Sequence, residues 1–266
     1  MSPRAPRFIV PLVPFIAWAA CARSPRAPEP ATPIEAREVS SLLDDLRRQY
    51  ESVQRYQGLV RVRGRGPEGA FEARLGVWFE RPDRLRVELL GAFGGTRWSA
   101  VASGEEITAY FPGKRHYLRE PDVADVVGRL LGIRLRAEEM MAALSGTGLP
   151  FESSAEVQGH RQGALRVLTA PSKATIHFDD GSQVTSARCD SYRVSYPSWK
   201  SRGRLFPDEL QLENESVRVR LEAEEVDVNV ALDPDTFLLP IPPDAVRLRP
   251  AEVGSESLFV VAKEPS

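Results

Sequence analysis

The sequence has few of the side chains from which catalytic and metal sites are built: its 266 residues include three histidines and two cysteines. The histidines lie on separate segments, and none has a further metal ligand at a suitable spacing. His177 and Asp179 share one face of a predicted strand, but two ligands do not make a site, and a solvated turn is the simpler interpretation. A Gly-x-Ser-x-Gly elbow and a complete phosphate-binding loop are also missing. The sequence therefore predicts no catalytic residues, no metal site and no cofactor.

An excess of charge of one sign is lacking too, since 35 Lys and Arg residues stand against 37 Asp and Glu residues. The net charge of −2 gives no electrostatic reason to expect a nucleic-acid partner. Two acidic clusters, Asp179-Asp180-Gly181 and Asp233-Pro234-Asp235, are more typical of hairpin turns than of calcium sites. We expect a surface of mixed charge.

The N-terminal hydrophobic run is too short to cross a membrane. It extends from Phe8 to Ala20, is interrupted by two prolines and follows two arginines, whereas a spanning helix needs about 20 apolar residues. A short apolar run behind basic residues is typical of a signal peptide, which we predict for residues 1–20.

The residues that end this run are Trp18-Ala19-Ala20-Cys21. They resemble the bacterial lipobox, with Trp18 where leucine is usual. The resemblance implies cleavage before Cys21 and attachment of a diacylglyceryl group to its thiol. The alternative is an ordinary secretory signal with an incidental cysteine. If Cys21 is lipidated, Cys189 has no cysteine partner, and we interpret Cys189 as an inert strand residue rather than a nucleophile.

Composition and periodicity divide the rest of the chain into a tether, one domain and a tail. Residues 21–33 are rich in Pro, Ala and Arg, which predicts a flexible tether. From Ile34 to Tyr56 apolar residues recur at spacings of three and four, as on the buried face of a helix. After Gly58 the period becomes two, which predicts strands. The domain is predicted to span 34–246, with a tail over 247–266.

Two further helices are predicted, over 121–132 and 137–144, before the period of two returns and continues to residue 230. In total we count about eleven strands and three helices. Strands joined by short turns must be antiparallel, and so many strands around few helices imply a strongly curled sheet packed on a helical plug. The predicted fold class is α+β.

The order of these elements and several local motifs resemble the LolB family of outer-membrane lipoprotein receptors, which shares its fold with the periplasmic carrier LolA. The resemblance covers roughly Tyr50 to Pro243. Four features carry it. The first two are an opening meander at Tyr56 to Val87 and a hydrophobic loop at Leu89 to Thr96. The others are a two-helix insert with a Gly-x-Pro-like ending at Asp125 to Pro150, and closing strands at Phe206 to Leu212 and Val226 to Pro243.

The resemblance implies an open half-barrel whose apolar concave face holds acyl chains of lipoproteins in transit. Moving such chains through water would cost about 0.8 kcal/mol per exposed CH₂, so a carrier needs a dry cavity and no reactive group. Alternation along the strands selects eleven candidate lining residues: Leu75, Val77, Phe79, Leu85, Val87, Leu89, Val101, Tyr110, Leu165, Val167 and Phe178. Each could instead simply fill a closed core.

The hydrophobic loop provides a second candidate site. In the family a bulky apolar residue projects from this loop, and here Phe93 occupies that position, between Gly91 and Gly94, while Ala92 stands where the family often has proline. An exposed aromatic side chain on flexible glycines suits a bilayer interface. The alternative is a turn residue folded back onto the core.

The resulting prediction is a non-enzymatic lipoprotein, anchored in the outer membrane through Cys21 and facing the periplasm as a monomer. Its expected partners are the membrane, an acylated lipoprotein or other lipid cargo, and a LolA-like periplasmic carrier. Two alternatives stay open: an envelope module of the same fold that binds a ligand or scaffolds a partner without transferring lipid, and an unrecognised hydrolase.

Overall fold

The computed structural model describes residues 31–67, 69–91, 95–150, 156–199, 206–249 and 252. The predicted signal peptide, Cys21, most of the tether, Phe93, Gly94 and most of the tail lie outside the described residues. The predictions made for them therefore stay predictions.

In the part of the chain that the structure describes, three α-helices accompany a single sheet. They are α1 (Ala36–Ser52), α2 (Val123–Leu131) and α3 (Ala137–Leu144). The side chain of Asp122 caps α2 by accepting the backbone N–H of Asp125 at 2.8 Å, and Gly132 ends that helix in the left-handed conformation. None of the described helices combines the length and the apolar character needed to span a bilayer.

The sheet has fifteen strands in the described residues, rather than the eleven expected. In chain order they are β1 (Thr32–Pro33), β2 (Arg55–Gly66), β3 (Gly69–Glu80), β4 (Arg84–Leu90), β5 (Thr96–Ser103), β6 (Glu106–Phe111), β7 (His116–Glu120), β8 (Gln158–Gln162), β9 (Leu165–Thr169), β10 (Thr175–Phe178), β11 (Val184–Arg188), β12 (Arg193–Ser198), β13 (Glu209–Glu213), β14 (Arg218–Val228) and β15 (Val246–Arg247). The strands without a sequence signal are β1, β8 and β15. Two of these have only two residues, and β8 is polar throughout.

The strand order is β1-β8-β9-β10-β11-β12-β13-β14-β2-β3-β4-β5-β6-β7-β15. Every neighbouring pair is antiparallel except β7 with β15, which is parallel. The sheet is therefore an open, curled and almost entirely antiparallel one, as the sequence predicted. Because β7 and β8 are consecutive in the chain but lie near opposite edges, the α2–α3 segment between them has to pass from one edge to the other.

Three helices pack on one face of the sheet, which we call the inner face. Leu42 and Leu46 of α1, Val126 of α2 and Met141 of α3 are all at most 3% exposed and belong to the same apolar core as the strands. At the centre of this core Tyr56 of β2 stacks on its cross-strand partner in β3, with ring centroids 5.3 Å apart. The predicted helical plug is confirmed.

The opposite, outer face of β2, β3 and β14 carries alternating charges. Arg61 Nη2 lies 2.5 Å from Glu224 Oε1, Arg74 Nε lies 3.2 Å from Glu224 Oε2, and Arg63 Nη1 lies 3.3 Å from Glu222 Oε1. Cross-strand pairs of opposite charge stabilise a solvated sheet face modestly. This face is therefore mixed in sign.

A segment that follows β14, residues 229–249, crosses the outer face and is called the strap below. Arg86 of β4 donates from Nη1 to the carbonyl oxygens of Thr236 and Leu238, at 2.7 and 3.0 Å. The strap ends by adding β15 to the edge of β7. Asp233-Pro234-Asp235 starts a 3₁₀ turn in this strap and not a hairpin, whereas Asp179 makes the expected hairpin turn by accepting the N–H of Gly181 at 2.8 Å.

Candidate functional site

The cross-strand register decides which predicted lining residues face inward. In β3 and β4 the apolar residues pair with one another, for example Val77 with Val87 and Phe79 with Leu85. Phe178 of β10 is fully buried in the same core. Seven of the eleven predicted residues lie on the inner face: Leu75, Val77, Phe79, Leu85, Val87, Leu89 and Phe178.

The other four predicted residues lie on the outer face, which corrects the alternation argument. Val101 pairs with Arg86, and Tyr110 pairs with Ser99. In β9 the inward residue is Leu168, so its neighbour Val167 and the more distant Leu165 point outward. Alternation gave the wrong face here because β5, β6 and β9 carry apolar residues at both odd and even positions. Val101 is only 8% exposed although it is outside the core, since it lies beside Arg86 under the strap.

An apolar cavity of about 270 Å³ lies on the inner face between α1, α3, the strands β9 and β10, and the turn that follows β11. We call it the main cavity. Its apolar wall consists of Leu43, Leu46, Leu149, Val157, Leu168 and Ile176. None of the eleven residues predicted from the sequence lines it. Its volume lies just below the roughly 300–1,000 Å³ typical of small-molecule sites.

Burial gives the main cavity a floor and a mouth. The floor residues Leu46, Leu149 and Leu168 are at most 7% exposed. Ser172, Arg136, Asp190 and Ser191 also line it but are exposed, so they mark the mouth. An apolar chain with a polar end fits this arrangement, because its chain would be dry while its end stays hydrated.

Arg136, Glu138 and Glu139 form a small charged cluster at the beginning of α3, beside the mouth. Arg136 Nη1 lies 2.5 Å from Glu138 Oε1, and Arg136 Nε lies 3.6 Å from Glu139 Oε2. Glu139 also accepts the backbone N–H of Arg136 at 2.8 Å, which fixes its carboxylate at the first turn of the helix. Burial opposes the charge of Arg136, but the adjacent Glu139 and Glu138 carboxylates raise its pKa above the ordinary value.

A second cavity of only about 40 Å³ lies between α2, α3 and the strands β4 to β6. Leu85 and Val87 line it together with Trp98, Ile107, Val127 and Met140. Trp98 is 3% exposed and belongs to the apolar core. This half of the inner face is therefore almost completely filled by side chains.

The connection from α3 towards β8 is built into the core through two glycines. Gly146 and Gly148 both have positive φ, +78° and +81°, a region that favours glycine. A Cβ at Gly148 would lie 2.4 Å from Cβ of Ala187. Between the two glycines, Thr147 is fully buried and donates its hydroxyl to the carbonyl of Ala142 at 3.1 Å. The Gly-x-Gly spacing thus lets the backbone pass directly under β11.

Arg81 fastens the end of β3 to the ends of two helices. Its Nε donates to the carbonyl oxygen of Val53 at 2.9 Å and its Nη2 to Ser145 Oγ at 2.8 Å. The guanidinium lies 3.6 Å from the ring centroid of Tyr50, a favourable cation–π contact. Burial lowers the pKa of Arg81. Residues at the C-terminal ends of α1 and α3 therefore supply the partners of this charge.

Cys189 lines the main cavity near its mouth. Its Sγ lies 3.4 Å from Ser191 Oγ, and it is half-buried. The adjacent Tyr192 is 3% exposed, and its hydroxyl has no hydrogen-bond partner among the described residues. Burial, reinforced by the nearby Glu139 charge, raises the pKa of this phenol well above its ordinary value.

In the described part of the chain, the remaining chemistry-bearing residues do not assemble into a centre. Burial is the main cause that lowers the pKa of His177, with the charge of Arg193 second. His177 lies on the outer face, opposite Val167. Within the described ranges no group of three or more His, Cys, Asp or Glu residues could hold a metal ion.

Of the predicted membrane loop only the base is described. Gly91 donates its backbone N–H to the carbonyl of Gly95 at 2.7 Å, which brings the two ends of the loop together. Phe93 and Gly94 lie outside the described residues.

Two solved structures share the fold with this chain. One is a DUF1329 family protein from Desulfovibrio piger, with 10% identity, a TM-score of 0.51, and coverage of 77% of this chain and 97% of that one. The other, from Vibrio parahaemolyticus, is named as a domain of an outer membrane lipoprotein-sorting protein. It has 7% identity, a TM-score of 0.51, and coverage of 74% of this chain and 95% of that one. At such identities the likeness concerns the fold alone.

None of the curated proteins compared with this sequence matches it. The family comparison is decisive, because it matches residues 54–225, well over half of the chain, to the family described as outer membrane lipoprotein LolB. That match includes β2 to β13, most of β14, and both α2 and α3. The chain belongs to the LolB family of outer membrane lipoproteins.

Proposed function

We propose that this protein binds acyl chains on its inner face and takes part in receiving lipoproteins and inserting them into the outer membrane. Membership of the LolB family supports a role in lipoprotein binding or sorting. The observation that carries the proposal is the main cavity, about 270 Å³ of apolar space with a polar mouth. Burial of an acyl chain there would gain about 0.8 kcal/mol per CH₂ removed from water.

Under this proposal Cys21 is the lipid anchor, and the protein faces the periplasm from the outer membrane. Its cargo is an acylated lipoprotein or another lipid, delivered by a LolA-like carrier. No catalytic residue is required, because transfer only exchanges one dry environment for another. The lining would combine the seven inward predicted residues with the wall of the main cavity.

Native mass spectrometry of the Cys21→Ala chain, purified from a host that contains membranes, tests this function directly. The expected result is a bound acyl lipid that is released on denaturation and whose mass identifies the cargo class. A clean mass of the chain alone, after purification without detergent, would contradict the proposal.

A second function is favoured by the small size of the free space on the inner face. The cavity between α2, α3 and β4 to β6 is only about 40 Å³. A core that is largely filled also suits an envelope module that binds a protein partner without passing lipid on. The clean mass that contradicts lipid binding would support this second function.

The loop at 91–95 is proposed as the membrane-inserting tip. We expect Phe93→Glu to leave the denaturation midpoint unchanged and to stop delivery of lipoproteins to membranes, because a charge at the tip is costly to place in a bilayer. Delivery to liposomes, measured by flotation of a radiolabelled lipoprotein, checks this. The control is Phe93→Leu, which keeps an apolar side chain, and unchanged delivery by Phe93→Glu would refute the tip.

A further inference from the structure

The head group that the main cavity accepts depends on the charges at its mouth. The carboxylates of Glu139 and Asp190 line the cavity, and that of Glu138 contacts Arg136. In the described part of the chain, Arg136 is the one basic residue that lines the cavity. The positive end of α3 adds roughly half a charge. The net charge of the three carboxylates, Arg136 and the helix end is therefore still negative, by more than one unit.

Glu139 is the carboxylate best placed to act on a ligand. Its side chain is 15% exposed, so water screens its charge less than that of a surface residue. The hydrogen bond from the backbone of Arg136 prevents the carboxylate from turning away. A negative charge is thus fixed in the wall between the apolar floor and the exposed mouth.

The other basic residues of these hairpins are not among the residues that line the cavity. Arg166 of β9 lies on the inner face, but its Nη1 is 3.6 Å from Glu38 Oε1, so its charge is already paired. Arg188 and Arg193 pair with each other one position from the inward pair Ala187 and Val194, and they therefore project from the outer face. Lys173 lies in the exposed turn between β9 and β10.

We infer that the main cavity selects acyl ligands whose polar end is neutral or cationic and discriminates against anionic ones such as free fatty acids. The inference rests on the proposed function, because it assumes that acyl chains enter this cavity. Its physical basis is that a ligand carboxylate at the mouth would lie close to like charges without a free cation, which is unfavourable in a partly desolvated site. An ester-linked or amide-linked acyl chain, as on an acylated cysteine, has no such charge.

Cys189 provides a probe located in the cavity itself. In the Cys21→Ala chain it is the only thiol, since the sequence has two cysteines. Its half-buried Sγ should react slowly with N-ethylmaleimide, and a chain in the cavity should slow it further. The ligands are three compounds with the same twelve-carbon chain, namely dodecanoate, monododecanoylglycerol and dodecyltrimethylammonium, each below its critical micelle concentration at pH 8. Each rate is normalised to the same variant without ligand.

The expected result is protection by the neutral and cationic ligands with dissociation constants on the order of tenfold lower than that of dodecanoate. In the double variant Glu139→Gln/Asp190→Asn the difference between neutral and anionic ligands should fall below about threefold, while the neutral ligand binds within twofold of before. Glutamine at 139 can still accept the backbone N–H of Arg136, so the helix start is kept. Glu225→Gln, an exposed carboxylate of β14, is the control and should leave the selectivity unchanged.

Dodecanoate binding as tightly as the neutral ligand would overturn the inference and leave the proposed function intact. A tenfold difference that persists in the double variant would overturn it as well, because the carboxylates would not be its cause. If no ligand protects Cys189, native mass spectrometry separates the two cases. Bound lipid then means that acyl chains occupy another site, so the inference alone fails, whereas an empty chain means that the proposed function fails with it.

Discussion

Three glycine-to-alanine variants separate backbone strain from close packing. Gly148 has φ +81°, and its Cβ would approach Cβ of the fully buried Ala187 to 2.4 Å. Gly104 has φ +61° with an ordinary contact of 3.7 Å to Asp83 Oδ2. Gly113 has no unusual φ and nothing within 4 Å. The three positions therefore present strain with a clash, strain alone, and neither.

The left-handed conformation costs an alanine about 1–2 kcal/mol, and overpacking a core adds about 1–3 kcal/mol. Alanine also reduces the entropy of the unfolded chain, which offsets about 0.4–1 kcal/mol of these costs. We therefore expect Gly148→Ala to destabilise by about 2–4 kcal/mol, Gly104→Ala by about 1 kcal/mol or less, and Gly113→Ala not at all.

Urea denaturation followed by circular dichroism measures these differences. In a domain of this size each kcal/mol shifts Tm by roughly 2–4 °C, so the three variants should also separate in a thermal scan. Equal effects of Gly148→Ala and Gly104→Ala, within about 0.5 kcal/mol, would refute the close approach between the α3–β8 connection and β11. A loss of stability in Gly113→Ala would contradict the open space and ordinary backbone conformation at Gly113.

Two further predictions concern the buried phenols and the strap. Burial raises the pKa of Tyr56, Tyr192 and Tyr196, so above pH 10 the unfolded chain loses protons that the folded chain keeps, and stability should fall as pH rises. Tyr192→Phe should flatten that fall by about 1.4 kcal/mol per pH unit in urea titrations, and an unchanged slope would contradict it. Arg86→Met should accelerate proteolysis within the strap several-fold, since two hydrogen bonds to strap carbonyls are lost. Arg65→Met on the exposed outer face is the control, and equal cleavage in both variants would argue against fastening by Arg86.

The inner face was predictable wherever one side of a strand is apolar and the other charged. In β3, Leu75, Val77 and Phe79 lie on one side, and Arg74 and Glu80 at the two ends of this stretch lie on the other, so the charges identify the outer side. In β5 the run from Trp98 to Ala102 is buried at every position, because the helices cover one side and the strap passes over the other. Alternation therefore does not show which side chains of such a strand face inward.

The main cavity was not predictable by the same method because few of its residues are in regular alternation. Leu149 and Pro150 lie in the connection after α3, and Asp190 and Ser191 form a hairpin turn. Of the lining residues only Leu168 and Ile176 belong to strands, where they form a cross-strand pair. That pairing depends on the register of the neighbouring strands, which the sequence of one strand does not reveal. Arg166 gave a misleading signal, because a charge between Leu165 and Val167 is typical of an outward position. In the structure Arg166 lies on the inner face, where its Nη1 is 3.6 Å from Glu38 Oε1 of α1.

The small volume of the main cavity bears on how a LolB-family protein could take up cargo. A diacylglyceryl group has two chains, whereas about 270 Å³ lies at the low end for a single small ligand. Under the proposed function, extra room is expected from movement of α1, α2 or α3, because the strands are hydrogen-bonded to their neighbours across the sheet while the helices contact it mainly through apolar side chains. Separating apolar surfaces costs about 25 cal/mol per Å². An incoming acyl chain covers the same surface and recovers that cost, so the exchange is close to balanced. Under the proposed function, a nearly filled core is thus compatible with reversible loading, and it keeps the empty protein from exposing an apolar trough to water.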